Sequence, residues 1–268
     1  MRKCFTINCM RNNNDFDGYE KLLKENLYQG IELFFPYNVT DDQRKLYDTR
    51  VEKIIKEIKP EVVLHLPHGH NNDLITETGD LNSLVIDRMQ NAIVYANRMG
   101  AKKLTLHLGF HPSNLTREKA IECVIEAVKV LCDIAYEYNS NIMIENMPGY
   151  NELGYSPDEI LHIIQKANKN NLKFILDTGH AHCSKYELTE YVKKLSKYLY
   201  HMHFNDNDGT RDQHKRVNSG TIDFIKLFKE LNNIKYNELH CMEVIFKEYT
   251  DLIEYEKDIN VYDYLYKD

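Results

Sequence analysis

Metal-binding side chains are concentrated in the segment "YHMHFNDNDGTRDQH", residues 200–214, which holds three histidines and three aspartates. Imidazole nitrogens and carboxylate oxygens are ligands that Zn²⁺, Mn²⁺ and Co²⁺ accept in proteins. A polar surface loop after a strand would be the plainer explanation. The segment instead predicts one wall of a metal site, formed by His203, Asp212 and His214, and the remaining ligands must come from elsewhere in the chain.

Side chains of the same kinds stand at the ends of other predicted strands. Six strands together supply five imidazoles and four carboxylates: His68, His107, Glu145, Asp177, His180, His203, Asp212, His214 and Glu243. A lone histidine or aspartate at a strand end is usually a turn or cap residue, but six concordant strand ends predict a metal site. The set contains no thiolate, so it suits Zn²⁺, Mn²⁺, Co²⁺ or Fe²⁺ better than Ca²⁺ or Mg²⁺.

The number of ions stays open between one and three. Nine ligands exceed what a single ion needs, so carboxylates could bridge two or three ions. Alternatively, one ion is bound and some of the histidines hydrogen-bond substrate or support the ligands.

The elements that position these residues alternate along the chain. Short apolar or β-branched runs predict strands at 2–8, 30–35, 61–66, 102–107, 141–145, 173–177, 199–204 and 238–244. Helical patterns follow each strand, at 17–28, 42–58, 80–99, 116–139, 156–169, 187–197, 221–232 and 247–262.

Local signals support the helices. An apolar stripe with spacings of three and four runs through 80–99, formed by Val85, Met89, Ala92, Ala96 and Met99. Gly100 then supplies a helix stop. The sequences "TDDQ" at 40–43 and "SPDE" at 156–159 each predict a capping box, from Thr40 with Gln43 and from Ser156 with Glu159.

Eight strands each followed by a helix predict one (β/α)₈ barrel that forms a single domain over residues 1–268. The alternative, a doubly wound open sheet, usually has a glycine-rich first turn. The first strand is followed by "NCMRNNND", which has no glycine. In a barrel the carboxyl ends of all strands meet at one face, so the candidate ligands should lie together there.

Composition narrows the class of protein. The chain is 43% hydrophobic and 28% charged, with a formal net charge of −7, which disfavours a dedicated nucleic-acid binder. No apolar run is long enough to span a bilayer, and the N-terminal segment lacks the apolar core of a signal peptide. Six scattered cysteines without a CxxC pair predict reduced thiols. We therefore expect a cytoplasmic protein without a membrane partner.

The strand-end segments "LPHGH", "LTLHLG", "IMIENMPG", "ILDTGHAH", "HMHFNDNDG", "DQHKRVNSGTIDF" and "MEV" resemble the xylose-isomerase-like TIM-barrel superfamily. The resemblance covers strand three to strand eight. It implies a relationship to sugar (or sugar phosphate) isomerases and epimerases, related dehydratases, and the abasic-site nuclease endonuclease IV.

Within the isomerase and epimerase branch, the resemblance implies one divalent ion held by Glu145, Asp177, His203 and Glu243. Glu145 and Glu243 would also be catalytic, exchanging protons at carbons next to a carbonyl while the ion polarises the oxygens. His65 in "LHLP" resembles a His-x-Pro that often follows strand three in this branch. Members are often homo-oligomers, although nothing in this sequence indicates a subunit interface.

Within the endonuclease branch, the resemblance implies three zinc ions on nine ligands, and all nine positions are matched here. Other features depart from that branch. Residues 69–73 read "GHNND" instead of a Ser-Tyr or Ser-Phe segment, and "RVNSG" lacks the glutamate of the expected turn. Basic residues at the face are few: Arg211, Lys215 and Arg216, with Arg11 and Arg117 as further candidates.

These observations predict an isomerase or epimerase that depends on Zn²⁺, Mn²⁺ or Co²⁺ and acts on a small polyhydroxylated carbonyl compound. Arg211, His65 and His180 are predicted to bind the substrate, and His201 is predicted to be a core histidine one layer below the ligands. The alternatives are a zinc nuclease acting on abasic DNA, and a barrel that keeps metal only for stability, which would close the ion's coordination shell.

Overall fold

The computed structural model describes residues 1–11 and 14–266. The predicted domain, 1–268, therefore includes four positions that lie outside the described residues. The strands are β1 (Arg2–Ile7), β2 (Gly30–Phe34), β3 (Glu61–His65), β4 (Lys103–Leu106), β5 (Asn141–Glu145), β6 (Leu172–Asp177), β7 (Leu199–Phe204) and β8 (Leu239–Met242). The helices are α1 (Phe16–Lys24), α2 (Asp41–Ile58), α3 (Ser83–Arg98), α4 (Arg117–Tyr136), α5 (Pro157–Ala167), α6 (Thr178–Ser184), α7 (Leu188–Leu195), α8 (Phe224–Asn233) and α9 (Tyr249–Asn260), followed by a 3₁₀ turn at Asp263–Tyr266.

The eight strands form a closed parallel barrel in sequence order, and β1 closes it by pairing with β8. The predicted (β/α)₈ architecture is confirmed. The main apolar core lies between the strands and the surrounding helices, as the amphipathic helices require. Within the described residues, no helix has the length and apolar character needed to cross a bilayer.

The structure adds one helix that the sequence pattern did not predict. Helix α6 occupies only seven residues directly after β6, too few for a helical period to be visible in the sequence. The carboxylate of Asp177 caps it by accepting a hydrogen bond from the N–H of His180, at 2.6 Å. This cap fixes the position of His180 relative to the end of β6.

One of the two predicted capping boxes is complete. Thr40 and Gln43 exchange both hydrogen bonds at the start of α2. At α5 the Ser156 hydroxyl accepts from the N–H of Glu159, as expected. The second half of that box is wrong, because the Glu159 carboxylate binds the guanidinium of Arg117 and the N–H of Gly154.

A β-bulge interrupts the pairing of β6 with β7. Phe174 pairs with Leu199, but the next residue, Ile175, pairs with His201, so Tyr200 is an extra residue in β7. Bulges of this kind re-aim the side chains that follow them. Beyond the bulge, His201 and His203 both direct their rings to the barrel interior, where they meet the carboxylate of Glu32.

The amino-terminal end of the barrel is closed by an ion-pair network. The buried ammonium of Lys103 lies 2.7 Å from a carboxylate oxygen of Glu61 and 2.7 Å from one of Glu238. It also lies 4.7 Å from the centre of the Tyr200 ring, a cation–π contact. These contacts close the amino-terminal end of the barrel, and the candidate ligands lie at the opposite, carboxyl-terminal end.

We predict that Arg117→Met destabilises the fold strongly. Arg117 and Glu159 form a buried bidentate pair, with N–O distances of 2.9 and 2.8 Å, that joins α4 to α5. Removing one partner of a buried pair costs about 3–5 kcal/mol because a charge stays buried without compensation. Urea unfolding should show this loss. The control is Lys169→Met, which breaks the exposed pair with Asp133 and should cost at most about 1 kcal/mol; equal losses would contradict the assignment.

Candidate metal centre

Glu145 is the hub of the polar side chains at the carboxyl end of the barrel. It is the last residue of β5, and its side chain is 1% exposed. One carboxylate oxygen lies 3.0 Å from Nε2 of His107 and 3.6 Å from Nε2 of His65. The other oxygen lies 3.2 Å from Nδ1 of His203 and 3.4 Å from Nδ1 of His180. A single carboxylate thus faces ligand candidates on two sides.

The four residues implied by the isomerase resemblance lie together. Glu145, Asp177, His203 and Glu243 each offer one ligand atom, and these atoms are all within 4.8 Å of one another. Asn146 connects the ends of β5 and β6, because its side chain hydrogen-bonds both the N–H and the C=O of Asp177. The second oxygen of Asp177 accepts from the Asn205 side chain at 2.8 Å.

A second group consists of His65, His68 and His107, whose ligand atoms also lie within 4.8 Å of one another. The sequence predicted His68 and His107 as ligands and His65 as a substrate contact. The structure places His65 among these ligand candidates, stacked on Phe34 with ring centroids 4.8 Å apart. His65 is buried whereas His68 and His107 are partly exposed, so the group opens toward solvent through the latter two.

The third group comes from the loop after β7 and from α6. Nε2 of His214 lies 2.7 Å from a carboxylate oxygen of Asp212, and Nε2 of His180 lies 3.5 Å from the same oxygen. The loop folds back over the barrel because Asp206 and Lys215 form a two-hydrogen-bond bridge.

Glycine is required where this loop returns. A Cβ atom at Gly220 would lie 2.2 Å from the backbone oxygen of Asn207 and 2.3 Å from the Asp206 carboxylate. The Asp206 carboxylate accepts from the N–H of Gly220 and of Ile222. The "DNDG" and "GTIDF" segments therefore hold the loop that carries Asp212 and His214 in position.

Four of the imidazoles share one arrangement. Nε2 of His203 donates to Glu32 at 2.8 Å, and Nδ1 of His65 donates to the Leu66 carbonyl at 2.8 Å. In the same way, Nδ1 donates to a backbone carbonyl in His180 (2.9 Å) and in His214 (3.0 Å). The opposite nitrogen of each ring faces a carboxylate, which is Glu145 for His203 and His65 and Asp212 for His180 and His214. Metal-binding histidines are typically oriented in this way by a hydrogen bond on the other nitrogen.

Glu32 is a functional candidate that sequence reasoning missed. It stands in the middle of β2, it is fully buried, and one oxygen accepts from both His201 and His203. Its other oxygen accepts from the Thr105 hydroxyl at 2.9 Å. The available signal was a glutamate inside the apolar run "GIELFF", because a buried charge in a strand needs a partner.

Charge pairing sets the ionisation of the carboxylates. Burial alone would raise the pKa of Glu145, but the positive charges of His203 and His107 hold it well below its usual range. The pKa of Glu243 is held at about 2, against its burial, by the charge of His203 and a hydrogen bond from it. Burial raises the pKa of Asp177 to about 7.

The imidazoles divide into two kinds. Burial and the neighbouring charges of His65 and His107 put the pKa of His68 well below its usual value, and burial also lowers that of His107. The pKa of His203 is raised well above its usual value, against its burial, by Glu243, Glu32 and Glu145. A hydrogen bond to Asp212 likewise overcomes burial and raises the pKa of His214 to about 10.

The donor set fits divalent cations. Imidazole and carboxylate ligands are those of Zn²⁺ and Mn²⁺ sites, and four of the rings are oriented by outer hydrogen bonds. One oxygen of Asp212 is buried without a hydrogen-bond donor, which is costly unless a cation satisfies it. Three positions share this environment: beside Glu145 and Glu243, among His65, His68 and His107, and between His180, Asp212 and His214.

The predicted basic residues differ in their availability. Arg211 is exposed in the loop next to Asp212. Arg117 and Arg216 are bound bidentately by Glu159 and Asp258. Arg11 lies over the Phe246 ring, 4.1 Å from its centroid, and Lys215 lies 3.9 Å from Asp208. Arg211 is therefore the basic group of this set most free to meet a substrate.

We predict that Glu32→Gln weakens cation binding without unfolding the barrel. The glutamine is nearly isosteric, but its neutral oxygen orients His203 less strongly, and losses of an outer partner typically lower metal affinity about 10–100-fold. Competition with a chromophoric chelator measures the Zn²⁺ dissociation constant. The control is Glu238→Gln, a carboxylate at the opposite end of the barrel; equal affinities of the two variants would rule out the role of Glu32.

We predict that cation affinity rises with pH between about 6 and 8. Asp177 holds a proton up to a pKa of about 7, and the protons on His203 and His214 must also leave before those groups bind a cation. Each displaced proton should raise the apparent affinity about tenfold per pH unit. Calorimetry in buffers of different ionisation enthalpy counts the released protons. A pH-independent affinity would contradict this arrangement.

Comparison with known proteins finds relatives that match most of the chain. The chain is 27% identical to an uncharacterized protein of Methanocaldococcus jannaschii over 211 residues, 72% of this chain and 71% of that protein. It is 26% identical to a probable endonuclease 4 of Mycoplasmopsis pulmonis over 221 residues, covering 75% of this chain and 78% of the relative.

Solved structures share the fold. A D-tagatose 3-epimerase-like protein superposes with a TM-score of 0.80 and 21% identity, covering 99% of this chain and 98% of the other. The IOLI protein, solved with a zinc atom, superposes with a TM-score of 0.77 and 17% identity, also covering 99% and 98%. A sequence model of the xylose isomerase-like TIM barrel matches residues 21–262. The chain belongs to the xylose isomerase-like TIM-barrel family.

Proposed function

We propose that the protein is a divalent-metal-dependent sugar or sugar phosphate epimerase or isomerase. The observation that carries this proposal is the convergence of two glutamates on one atom. Carboxylate oxygens of Glu145 and Glu243 lie 3.2 and 3.0 Å from Nδ1 of His203. Two carboxylates from β5 and from the end of β8 thus border one small space, as proton exchange at a single carbon requires.

The two glutamates would act as a base and an acid. One carboxylate would remove the proton from the carbon next to the substrate carbonyl. The other glutamate would first take up a proton from solvent and then donate it to that carbon from the opposite face, which inverts the configuration, and proton exchange with solvent would reset both groups. A bound divalent cation supplies positive charge that stabilises negative charge on the substrate oxygens. Glu243 is 14% exposed and Glu145 only 1%, so Glu243 is the more accessible of the two.

Three residues are proposed to orient the substrate. Arg211 is exposed beside Asp212 and could bind a hydroxyl or phosphate group, for which a guanidinium is well suited. His65 and His180 face Glu145 from two sides, at 3.6 and 3.4 Å. Since both rings are fixed by backbone carbonyls, they could hold substrate oxygens in a defined orientation or join the remaining ligands around a second cation.

Charge at this face favours a small substrate. Phosphate contacts dominate affinity for DNA, so a duplex-binding face needs several free basic side chains. Arg117 and Arg216 are instead neutralised by carboxylates, and Arg11 is held over Phe246. The formal net charge of −7 acts in the same direction.

The second candidate function is a zinc nuclease acting on abasic DNA. The observation that favours it is the set of three ligand groups around Glu145, together with relatives that are named probable endonuclease 4. Closely spaced cations can stabilise the attacking and leaving oxygens of phosphodiester hydrolysis. The two candidates require different substrates and are separated by direct assays.

We predict that the metal-loaded protein exchanges a carbon-bound hydrogen of a ketose with solvent deuterium. Glu145→Gln and Glu243→Gln should each lower the exchange rate about 10²–10⁴-fold, because each removes a proton-transfer group. Nuclear magnetic resonance of a ketose panel in ²H₂O follows the exchange. Metal content is measured in parallel, and Glu118→Gln, an exposed glutamate on α4, serves as the control.

The same preparations test the nuclease. We expect no nicking of a duplex with one abasic site by zinc- or manganese-loaded protein. Efficient nicking that Glu145→Gln abolishes would overturn the epimerase proposal in favour of the nuclease. Neither nicking nor deuterium exchange by fully metallated protein would contradict both candidates.

A further inference from the structure

A cluster of thiols, imidazole and carboxylate lies inside the barrel, below the candidate metal centre. It is formed by Cys4 of β1, Glu32 of β2, His201 of β7 and Cys241 of β8. Cys4 and Cys241 are direct neighbours in the pairing of β1 with β8. None of these residues belongs to the ligand set that the family resemblance implies. Glu32 contacts that set only through its hydrogen bond from His203.

The spacing of this cluster approaches that of a metal site. Ligand atoms from the four residues all lie within 4.8 Å of one another. Bond lengths of 2.3 Å to sulfur and about 2.0–2.1 Å to nitrogen put the ligands of a tetrahedral Zn²⁺ site roughly 3.3–3.8 Å apart. Binding would therefore need only a small contraction of side chains that already face one another.

The hydrogen bonds leave ligand positions open. Nε2 of His201 donates to Glu32, and Nδ1 is buried without a hydrogen bond of normal geometry. The Glu32 carboxylate accepts from His201, His203 and Thr105, three of its roughly four acceptor positions. With Nε2 bound to Glu32, Nδ1 is the ring nitrogen of His201 that remains for a cation.

Burial argues that these polar groups need compensation. All four residues are fully buried, and the two thiols adjoin the apolar residues Val63, Met143, Ile175 and Leu239 at the barrel floor. Cys132 shows the alternative, a cysteine buried in the apolar core between strands and helices. Cys4 and Cys241 differ because an imidazole and a carboxylate complete their surroundings.

We propose that Cys4, Cys241, His201 and Glu32 form a separate site for a thiophilic divalent cation of the Zn²⁺ class. This site has a structural role, since its four ligands complete a tetrahedral shell and leave no open position. Its cation joins β1 and β8, the strands whose pairing closes the barrel, to β2 and β7. The inference does not depend on which reaction the upper centre performs.

Access to this site is restricted. Lys103 with Glu61 and Glu238 closes the amino-terminal end of the barrel, and all four proposed ligands are fully buried. The lower cation should therefore enter during folding and exchange slowly. A chelator should remove cations of the upper centre first and leave a resistant fraction of about one ion per chain.

Cobalt tests the site directly. Thiolate ligands give Co²⁺ an intense near-ultraviolet charge-transfer band, whereas the candidate ligands of the upper centre are imidazoles and carboxylates alone. Protein refolded with Co²⁺ should show this band, and Cys4→Ser and Cys241→Ser should each abolish or strongly weaken it. The controls are Cys132→Ser in the helical core and Cys183→Ser on α6, which should retain the band.

If a cysteine variant fails to fold, the wild-type protein still tests the proposal. Absence of a charge-transfer band from cobalt-refolded wild type, with the upper centre loaded, would do so. A disulfide between Cys4 and Cys241 in protein purified under reducing conditions would also contradict it. A band that persists in Cys4→Ser and Cys241→Ser but disappears in Cys183→Ser would assign the thiolate to the upper centre instead.

Discussion

The buried carboxylate of Glu32, shared by two imidazoles of β7, is the interaction on which the interior depends. An unpaired charge at this depth is strongly unfavourable, so the carboxylate needs donors and the rings need an acceptor. Because Nε2 of His203 binds Glu32, Nδ1 of that ring faces the carboxyl-terminal end of the barrel. Glu145, Asp177 and Glu243 then converge on the other ring nitrogen, Nδ1.

The same principle extends outward from this pair. Glu145 is surrounded by imidazoles, and three further rings are fixed by backbone carbonyls at strand ends and loops. Closure of the barrel constrains this arrangement, because every strand has two hydrogen-bonded neighbours. Charge compensation and barrel closure therefore act together: the first selects side-chain orientation and the second holds the distances.

The fold and most of the candidate site follow from the sequence because parallel barrels enforce a simple rule. Buried strands appear as short apolar runs, and residues at their carboxyl ends share one face, so His107, Glu145 and Asp177 could be placed together without coordinates. Glu32 was not predicted because it lies in the middle of its strand and not at the carboxyl end. Its role follows only from its contacts with His201 and His203 across the barrel. The ligand-like position of His65 and the short α6 needed three-dimensional distances and a local cap.

The extra residue at Tyr200 divides β7 into two parts. Leu199 before it pairs with Phe174, and from His201 onward the pairing is shifted by one residue. Tyr200 itself lies beside Lys103. A substitution at the Lys103 contact therefore acts first on Tyr200, which lies outside the β6–β7 register, and not on the residues whose pairing holds His201 and His203. The sequence at the amino-terminal end of such a barrel can therefore vary while the side chains at the carboxyl-terminal end keep their positions.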